Sequence, residues 1–91
     1  MRDVEWRQAA RDDLRSIFDY IAEHSPPAAL ALLAQIETRI SRLPDRPKAY
    51  RVGRVAGTRE MVVRPNYLVV YAETDEKVVI LRVLHAAQMW P

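Results

Sequence analysis

The residues best suited to chemistry lie in the segment RVLHAAQMWP (82–91). His85 follows an apolar run that begins at Val78, and Gln88 and Trp90 come shortly after it. An imidazole titrates near neutral pH, so a histidine presented at the end of a strand can act as a general acid or base. The opposing interpretation is that His85 only packs at the rim of the core, which is the commoner role of a histidine at such a position.

Cationic side chains are concentrated in the middle of the chain. The whole sequence has a net charge of +2, whereas residues 46–64 alone carry a balance of +5. Guanidinium groups hold phosphate bidentately and stabilise the charge that develops when phosphate is attacked. Two alternatives are cross-strand pairing with glutamates and a docking surface for an acidic protein segment. The cations are Arg46, Lys48, Arg51, Arg54, Arg59 and Arg64, and the one acid among them is Glu60.

Two tyrosines near these arginines differ in context. Tyr67 follows Pro65-Asn66 at a turn, where its ring is placed to stack on a base, whereas Tyr71 lies within a strand and is expected to pack. The sequence has no cysteine and only two, widely separated histidines, so we expect no metal site. It also lacks a glycine-rich phosphate-binding motif, and we expect no cofactor.

A helical hairpin must come before these residues in the chain. Ala10 opens a segment with helical periodicity, and Ser25-Pro26 stops it and starts another, because serine caps a helix well and proline fits its first turn. Pro44 ends the second helix. So short a joint predicts an antiparallel pair. The apolar stripes are Ala10, Leu14, Ile17, Phe18, Ile21 and Ala22, followed by Ala29, Leu32, Leu33, Ile36, Ile40 and Leu43.

Strands account for the remainder of the chain. Val4 and Trp6 alternate with charged residues and predict an opening strand. Further strands are predicted at Arg51–Ala56, Arg59–Arg64, Leu68–Glu73 and Lys77–His85, joined by short turns as a meander. Strict alternation in the last strand places Val79, Leu81, Val83 and His85 on one face and Val78, Ile80, Arg82 and Leu84 on the other. Both faces are largely apolar, which predicts an interior strand.

These elements predict an α+β fold with an N-terminal strand, a two-helix antiparallel hairpin and an antiparallel-rich sheet of about four further strands. The helices cover one face of the sheet, and the other face is open and carries arginines. The length, 91 residues, suits a single domain spanning 1–91. No secretory signal or membrane span is evident, and a cytoplasmic protein with no membrane partner is expected.

Three segments, in this order, resemble the RelE/ParE superfamily of type II toxin–antitoxin toxins, which includes the plasmid-stabilisation type. They are VEWRQAARDDLRSIFDYIAEHSPPAA (4–29), GRVAGTREMVVRPNYLVVY (53–71) and VVILRVLHAAQMWP (78–91). The resemblance covers nearly the whole chain. It implies the fold described above and a cognate antitoxin partner whose C-terminal segment wraps the toxin.

RelE-like members of the superfamily are endoribonucleases that cut mRNA in the ribosomal A site. On this interpretation the resemblance implies a catalytic His85, with Arg59 and Arg64 as the cations beside the scissile phosphate, and no metal. Asn66 falls where certain relatives have a catalytic aspartate. The candidates for binding RNA or the antitoxin are Arg51, Arg54, Asn66, Tyr67 and Gln88. Leu68 stands where one branch has an arginine, and the lysine pair and C-terminal catalytic tyrosine of that branch are missing.

ParE-like members inhibit DNA gyrase instead. On that interpretation no catalysis is needed, the helical hairpin and the tail are binding surfaces, and His85 is structural. A third possibility is an inactive remnant that only binds an antitoxin. We expect a growth-arresting toxin, and the histidine with its clustered arginines favours the mRNA interferase over gyrase inhibition.

Overall fold

A computed structural model describes residues 2–85, 88 and 90 of the chain. The elements in order are β1 (Asp3–Trp6), α1 (Gln8–Ala22), α2 (Pro26–Ser41), a 3-10 turn (Leu43–Asp45), β2 (Arg51–Val52), β3 (Arg59–Arg64), β4 (Tyr67–Glu73) and β5 (Lys77–His85). The predicted α+β class is confirmed, as are the bounds of β3 and β5. Among the described residues, no helix is long and apolar enough to span a membrane.

The five strands form one sheet in the order β1-β5-β4-β3-β2. β2 to β5 are antiparallel neighbours in sequence, which is the predicted meander. β1 joins the far side of β5 in parallel after the helical crossover, with Val4 opposite Val78. β5 therefore lies inside the sheet, as its two apolar faces predicted.

The joint between the helices has the predicted chemistry. Ser25 is the N-cap of α2, and its Oγ accepts a hydrogen bond from the Ala28 backbone N–H at 3.2 Å. Pro26 occupies the first helical position, where a missing N–H costs nothing. The hairpin packs on one face of the sheet, where its buried residues meet those of the strands. This core consists of Ala10, Leu32, Ile36, Ile40, Leu43, Met61, Val63, Val69, Tyr71, Val78, Ile80 and Val83.

The predicted strand Arg51–Ala56 is wrong beyond Val52. Gly53 donates its backbone N–H to the Thr58 carbonyl at 2.8 Å, and Thr58 Oγ1 donates to the Val55 carbonyl at 2.7 Å, so the chain turns back at once. Gly57 closes the turn at a φ of +83°, a conformation that favours glycine. A tight turn therefore replaces the second half of the expected strand.

The predicted alternation along β5 is also wrong. Val70 pairs with Arg82 whereas the next residue, Tyr71, pairs with Ile80, which leaves Leu81 as an extra residue in β5. Such a bulge exchanges the two faces of a strand beyond it. Ile80 and Val83 consequently share the helix-facing core, although the sequence placed them on opposite faces.

Candidate functional site

Three candidate residues lie side by side at one end of the sheet. Tyr67, the first residue of β4, pairs with Arg64 of β3 on one side and with His85, the last residue of β5, on the other. The bulge at Leu81 places His85 on the helix-facing side, two residues beyond the core residue Val83. Strand register thus brings together an imidazole, a phenol and, one strand further, a guanidinium group.

The imidazole and the phenol are in contact. The His85 and Tyr67 rings meet edge to face, with centroids 5.3 Å apart and planes at 86°. Together with Asn66 they form one wall of an open groove of about 510 Å³, whose other wall is α1. His85 is half-buried there, neither sealed in the interior nor fully solvated. The α1 residues lining the groove are Ser16, Ile17 and Tyr20.

Gln88 is bound to the backbone of the strand end. Its Oε1 accepts the His85 backbone N–H at 2.6 Å, and its own backbone N–H donates to the His85 carbonyl at 2.9 Å. These two bonds satisfy the edge of β5 at a point beyond the reach of β1, because β1 pairs only as far as Ile80. The Gln88 side chain therefore holds the strand end that carries His85.

Asp13 of α1 holds the same edge one step earlier. Its carboxylate accepts hydrogen bonds from Nε and Nη2 of Arg82, at 2.6 and 2.9 Å, and from the Val83 backbone N–H at 3.0 Å. The hydrogen bond from Arg82 to Asp13 raises the pKa of the Arg82 guanidinium, so Arg82 remains charged. We call this set of bonds the Asp13 clamp. It fixes α1 against β5 just beyond the bulge, and thereby fixes the two walls of the groove.

The predicted arginines are dispersed, and each makes its own contacts. Arg64 Nε donates to Gln35 Oε1 of α2 at 2.6 Å. Arg59 pairs with Tyr71, which lies four residues along β4 from Tyr67, or about 13 Å at the usual rise of a strand. Its guanidinium group donates to the Tyr50 carbonyl at 2.8 Å. The structure therefore brings Arg64 near His85 but leaves Arg59 at the other end of the sheet.

The remaining two arginines surround a buried acid near β2. Arg51 forms an ion pair with Glu60 at 3.0 Å, as the cross-strand alternative predicted. The Arg54 backbone N–H donates to the same carboxylate at 3.3 Å, and its side chain reaches the Trp90 carbonyl at 3.5 Å. Both arginines are exposed although Glu60 is buried. Among the described lining residues of the His85 groove there is no arginine.

Tyr71 has a structural role. It is completely buried, and its hydroxyl donates to the Pro47 carbonyl at 2.5 Å. Burial raises the pKa of Tyr71 to about 12, with a smaller opposing effect of Arg59, so the phenol stays protonated as a donor. The prediction that Tyr71 is packed is confirmed.

The α1 side of the groove was not predicted from the sequence. Ser16 and Tyr20 lie on the polar side of the predicted amphipathic helix, where neither residue type nor spacing distinguishes them from solvated positions. The sequence does contain one signal for this wall, because Tyr20 is a large aromatic residue on the polar side of the helix. In the structure Tyr20 is 67% exposed. Within residues 2–85, 88 and 90, no group of three or more potential metal ligands is assembled.

The family model described as "ParE toxin of type II toxin-antitoxin system, parDE" matches residues 4–90. The chain belongs to this ParE toxin family. Toxin RelE2 of Caulobacter vibrioides is 37% identical over 89 residues, which cover 98% of this chain and 100% of that protein. Putative toxin Y4kP of Sinorhizobium fredii is 34% identical over 88 residues, covering 97% and 92%. The predicted membership of the RelE/ParE superfamily is confirmed.

Solved structures share the fold of this ParE-family toxin. The chromosomal ParDE toxin–antitoxin system of P. aeruginosa matches with a TM-score of 0.81 and 24% identity over 93% of this chain and 96% of that one. A chain of the E. coli DinJ-YafQ complex matches with a TM-score of 0.72 and 15% identity over all of both chains. The protein is thus a toxin of a type II toxin–antitoxin system, with the helical hairpin and sheet of the superfamily.

Proposed function

We propose that this toxin arrests growth by binding and inhibiting DNA gyrase, as ParE-like members of the superfamily do, and that a cognate antitoxin holds it inactive. The observation that carries the proposal is the dispersal of the arginines. Cleavage of RNA without a metal requires cations at the phosphate and an acid–base pair at the reacting oxygens. No described residue lining the His85 groove supplies such a cation.

The contacts of the individual arginines support the same conclusion. Arg59 is bound to the Tyr50 carbonyl in another row of the sheet, and Arg51 is paired with Glu60. Moving Arg59 to the groove would break its bond to Tyr50, and moving Arg51 would leave the buried carboxylate of Glu60 without its ion pair, which is costly. A toxin that acts by binding another protein has no such requirement. The match to the ParE model over residues 4–90 also favours this mode of action.

The second candidate is the mRNA endoribonuclease, and one observation favours it. His85, Tyr67 and Asn66 line one open groove, with Arg64 in the adjacent position of the same row. In that mechanism the RNA 2′-oxygen attacks the phosphorus while His85 takes its proton, and the 5′-oxygen leaves with a proton from a second donor such as the Tyr67 phenol. Arg64 would have to leave Gln35 to neutralise the phosphate.

The antitoxin is proposed to cover the exposed arginines near β2. Arg51 is 60% exposed despite its ion pair, and Arg54 is exposed beside it, so acidic side chains of a partner can approach both. Release from this partner in the cytoplasm would then free the toxin.

The test expresses the chain with and without its antitoxin in a bacterial host and pairs this with a supercoiling assay on purified gyrase. We expect growth arrest only without antitoxin, loss of supercoiling in the assay, and no new mRNA ends. His85→Phe keeps a ring against Tyr67 but removes proton transfer, and we expect it to inhibit gyrase as the parent does.

The outcomes separate the candidates. New mRNA ends that disappear in His85→Phe, with gyrase unaffected, would replace the gyrase proposal by the ribonuclease. Absence of growth arrest from a folded chain would identify an inactive antitoxin-binding remnant.

A further inference from the structure

We propose that the turn Arg46–Ala49, with Arg2 beside it, binds the phosphodiester backbone of a nucleic acid. This site lies at the end of the sheet opposite His85 and goes beyond the gyrase proposal, because it requires neither gyrase nor the His85 groove. Its residues line an open cleft of about 510 Å³, and the cationic ones are Arg2, Arg46 and Lys48.

The cleft is held in shape by a buried tether. The turn is closed by the Ala49 backbone N–H, which donates to the Arg46 carbonyl at 3.1 Å. Inside it, the Pro47 carbonyl accepts the hydroxyl of Tyr71 at 2.5 Å, and Pro47 is itself buried although it lies in a turn. The backbone that carries the two exposed cations is thus anchored to the core, and less entropy is lost when they bind.

Arg46 and Lys48 carry the positive charge of this turn. Among the described residues, no carboxylate lies within ion-pair distance of Arg46 or Lys48, and both side chains are exposed. Arg2 contacts Glu73 at 3.5 Å and donates to the Thr74 carbonyl at 2.7 Å, which places its guanidinium group at the edge of the same cleft. Cations that line one cleft create a positive potential there, which attracts a polyanion.

The surroundings favour a phosphate backbone over an acidic protein. Protein interfaces depend on a few apolar or aromatic anchors, whereas phosphate binding depends on cations and salt. The large apolar side chains that the described structure exposes are Tyr20, Leu30, Val52 and Val62, and none of them lines this cleft. The apolar residues that do line it are Pro47, which is buried, and the small Ala49.

Fluorescence anisotropy with labelled short duplex DNA and labelled single-stranded RNA tests the site, with poly-glutamate as a competitor. In about 50 mM salt, where phosphate contacts are strong, we expect binding to at least one nucleic acid and weak competition by poly-glutamate. The double variant Arg46→Gln/Lys48→Gln should weaken binding severalfold and reduce the slope of log affinity against log salt by about 2, one for each phosphate contact removed.

The matched control is Arg11→Gln/Arg15→Gln, which removes the same charge from exposed positions on α1. We expect it to retain the affinity and the slope, and circular dichroism should show both double variants folded. Tighter binding of the DNA or of the RNA would identify the natural source of the backbone. The proposal is overturned by absent binding, by an unchanged Arg46→Gln/Lys48→Gln variant, by an equal loss in the control, or by poly-glutamate that binds as tightly as nucleic acid.

Discussion

Tyr67 and Tyr71 lie on the same strand and face the same helices, yet the two ends of the sheet use them differently. Tyr71 is fully buried, and its hydroxyl is bound to the Pro47 carbonyl. Tyr67 is half-buried and presents its ring to His85 in an open groove. Position along the strand decides the difference, because β4 pairs with the middle of β5 at Tyr71 and with its end at Tyr67. The Tyr71 end is packed into the core, whereas the Tyr67 end opens onto the groove.

Truncation of the two tyrosines should give the largest contrast. We expect Tyr71→Ala to lower the free energy of unfolding by about 3–5 kcal/mol, because it empties a packed site and leaves the Pro47 carbonyl without its donor. Tyr67→Ala should cost about 1 kcal/mol, since the ring is already partly in water. Urea denaturation of both variants measures the difference. Equal losses of unfolding free energy would show that the two ends of the sheet contribute equally to stability.

The Asp13 clamp provides a smaller test at the Tyr67 end. Asp13→Ala leaves the Arg82 guanidinium group and the Val83 N–H without their acceptor, and we expect a loss of about 2 kcal/mol in unfolding free energy. The matched control is Asp12→Ala, because Asp12 is an exposed neighbour whose side chain, among the described residues, accepts a hydrogen bond only from Gln8. The loss in this variant should stay within about 0.5 kcal/mol. The NMR signals of His85 should also move in the Asp13 variant and not in the control. An unchanged stability would mean that water satisfies both groups.

The exposed ion pair between Glu5 and Lys77 lies at the Tyr71 end of the sheet. It tests whether the stability of that end comes from burial or from location alone. The hydrogen bond and charge of Lys77 lower the pKa of Glu5, and Glu5 in turn raises the pKa of Lys77. The contribution is therefore complete between the ordinary values of 4.5 and 10.5, and it is lost as pH falls through the lowered pKa of Glu5 or rises through the raised pKa of Lys77. We expect Glu5→Gln to reduce stability slightly at pH 7, and the difference from the parent to shrink as the pH falls through the lowered pKa of Glu5. A loss comparable to that of the Asp13 variant would contradict the importance of burial.

Local chemistry explains the parts of the fold that the sequence predicted well. Ser25 and Pro26 begin a helix through their own side chains, and the bounds of β3 follow from the turn residues on either side of it. The bulge at Leu81 has no such local signal, because it is defined by the pairing of β5 with β4. The same holds for the early end of β2, where a hydroxyl–carbonyl contact between Thr58 and Val55 reverses the chain.

The candidate site was predictable in its residues but not in its arrangement. His85 and Tyr67 were proposed from their types and Asn66 from the family resemblance, and the structure places all three in one groove. Their adjacency to one another, and the separation of Arg59 from them, depend on strand register. Proximity along the chain does not distinguish Arg59 from Arg64, whereas the sheet pairs Arg59 with Tyr71 and Arg64 with Tyr67. The functions assigned to these residues stay predictions.

The parallel pairing of β1 with β5 sets an order of events during synthesis. Residues 3–6 find their partners only at residues 77–80, whereas the helical hairpin is made of contiguous residues. On a translating ribosome the hairpin can form early, but β1 must wait, unpaired, until β5 has emerged. Closing so long a loop is entropically unfavourable, and it makes the last step of sheet assembly the slow one. In a nascent chain of this toxin, β1 consequently remains unpaired for most of translation.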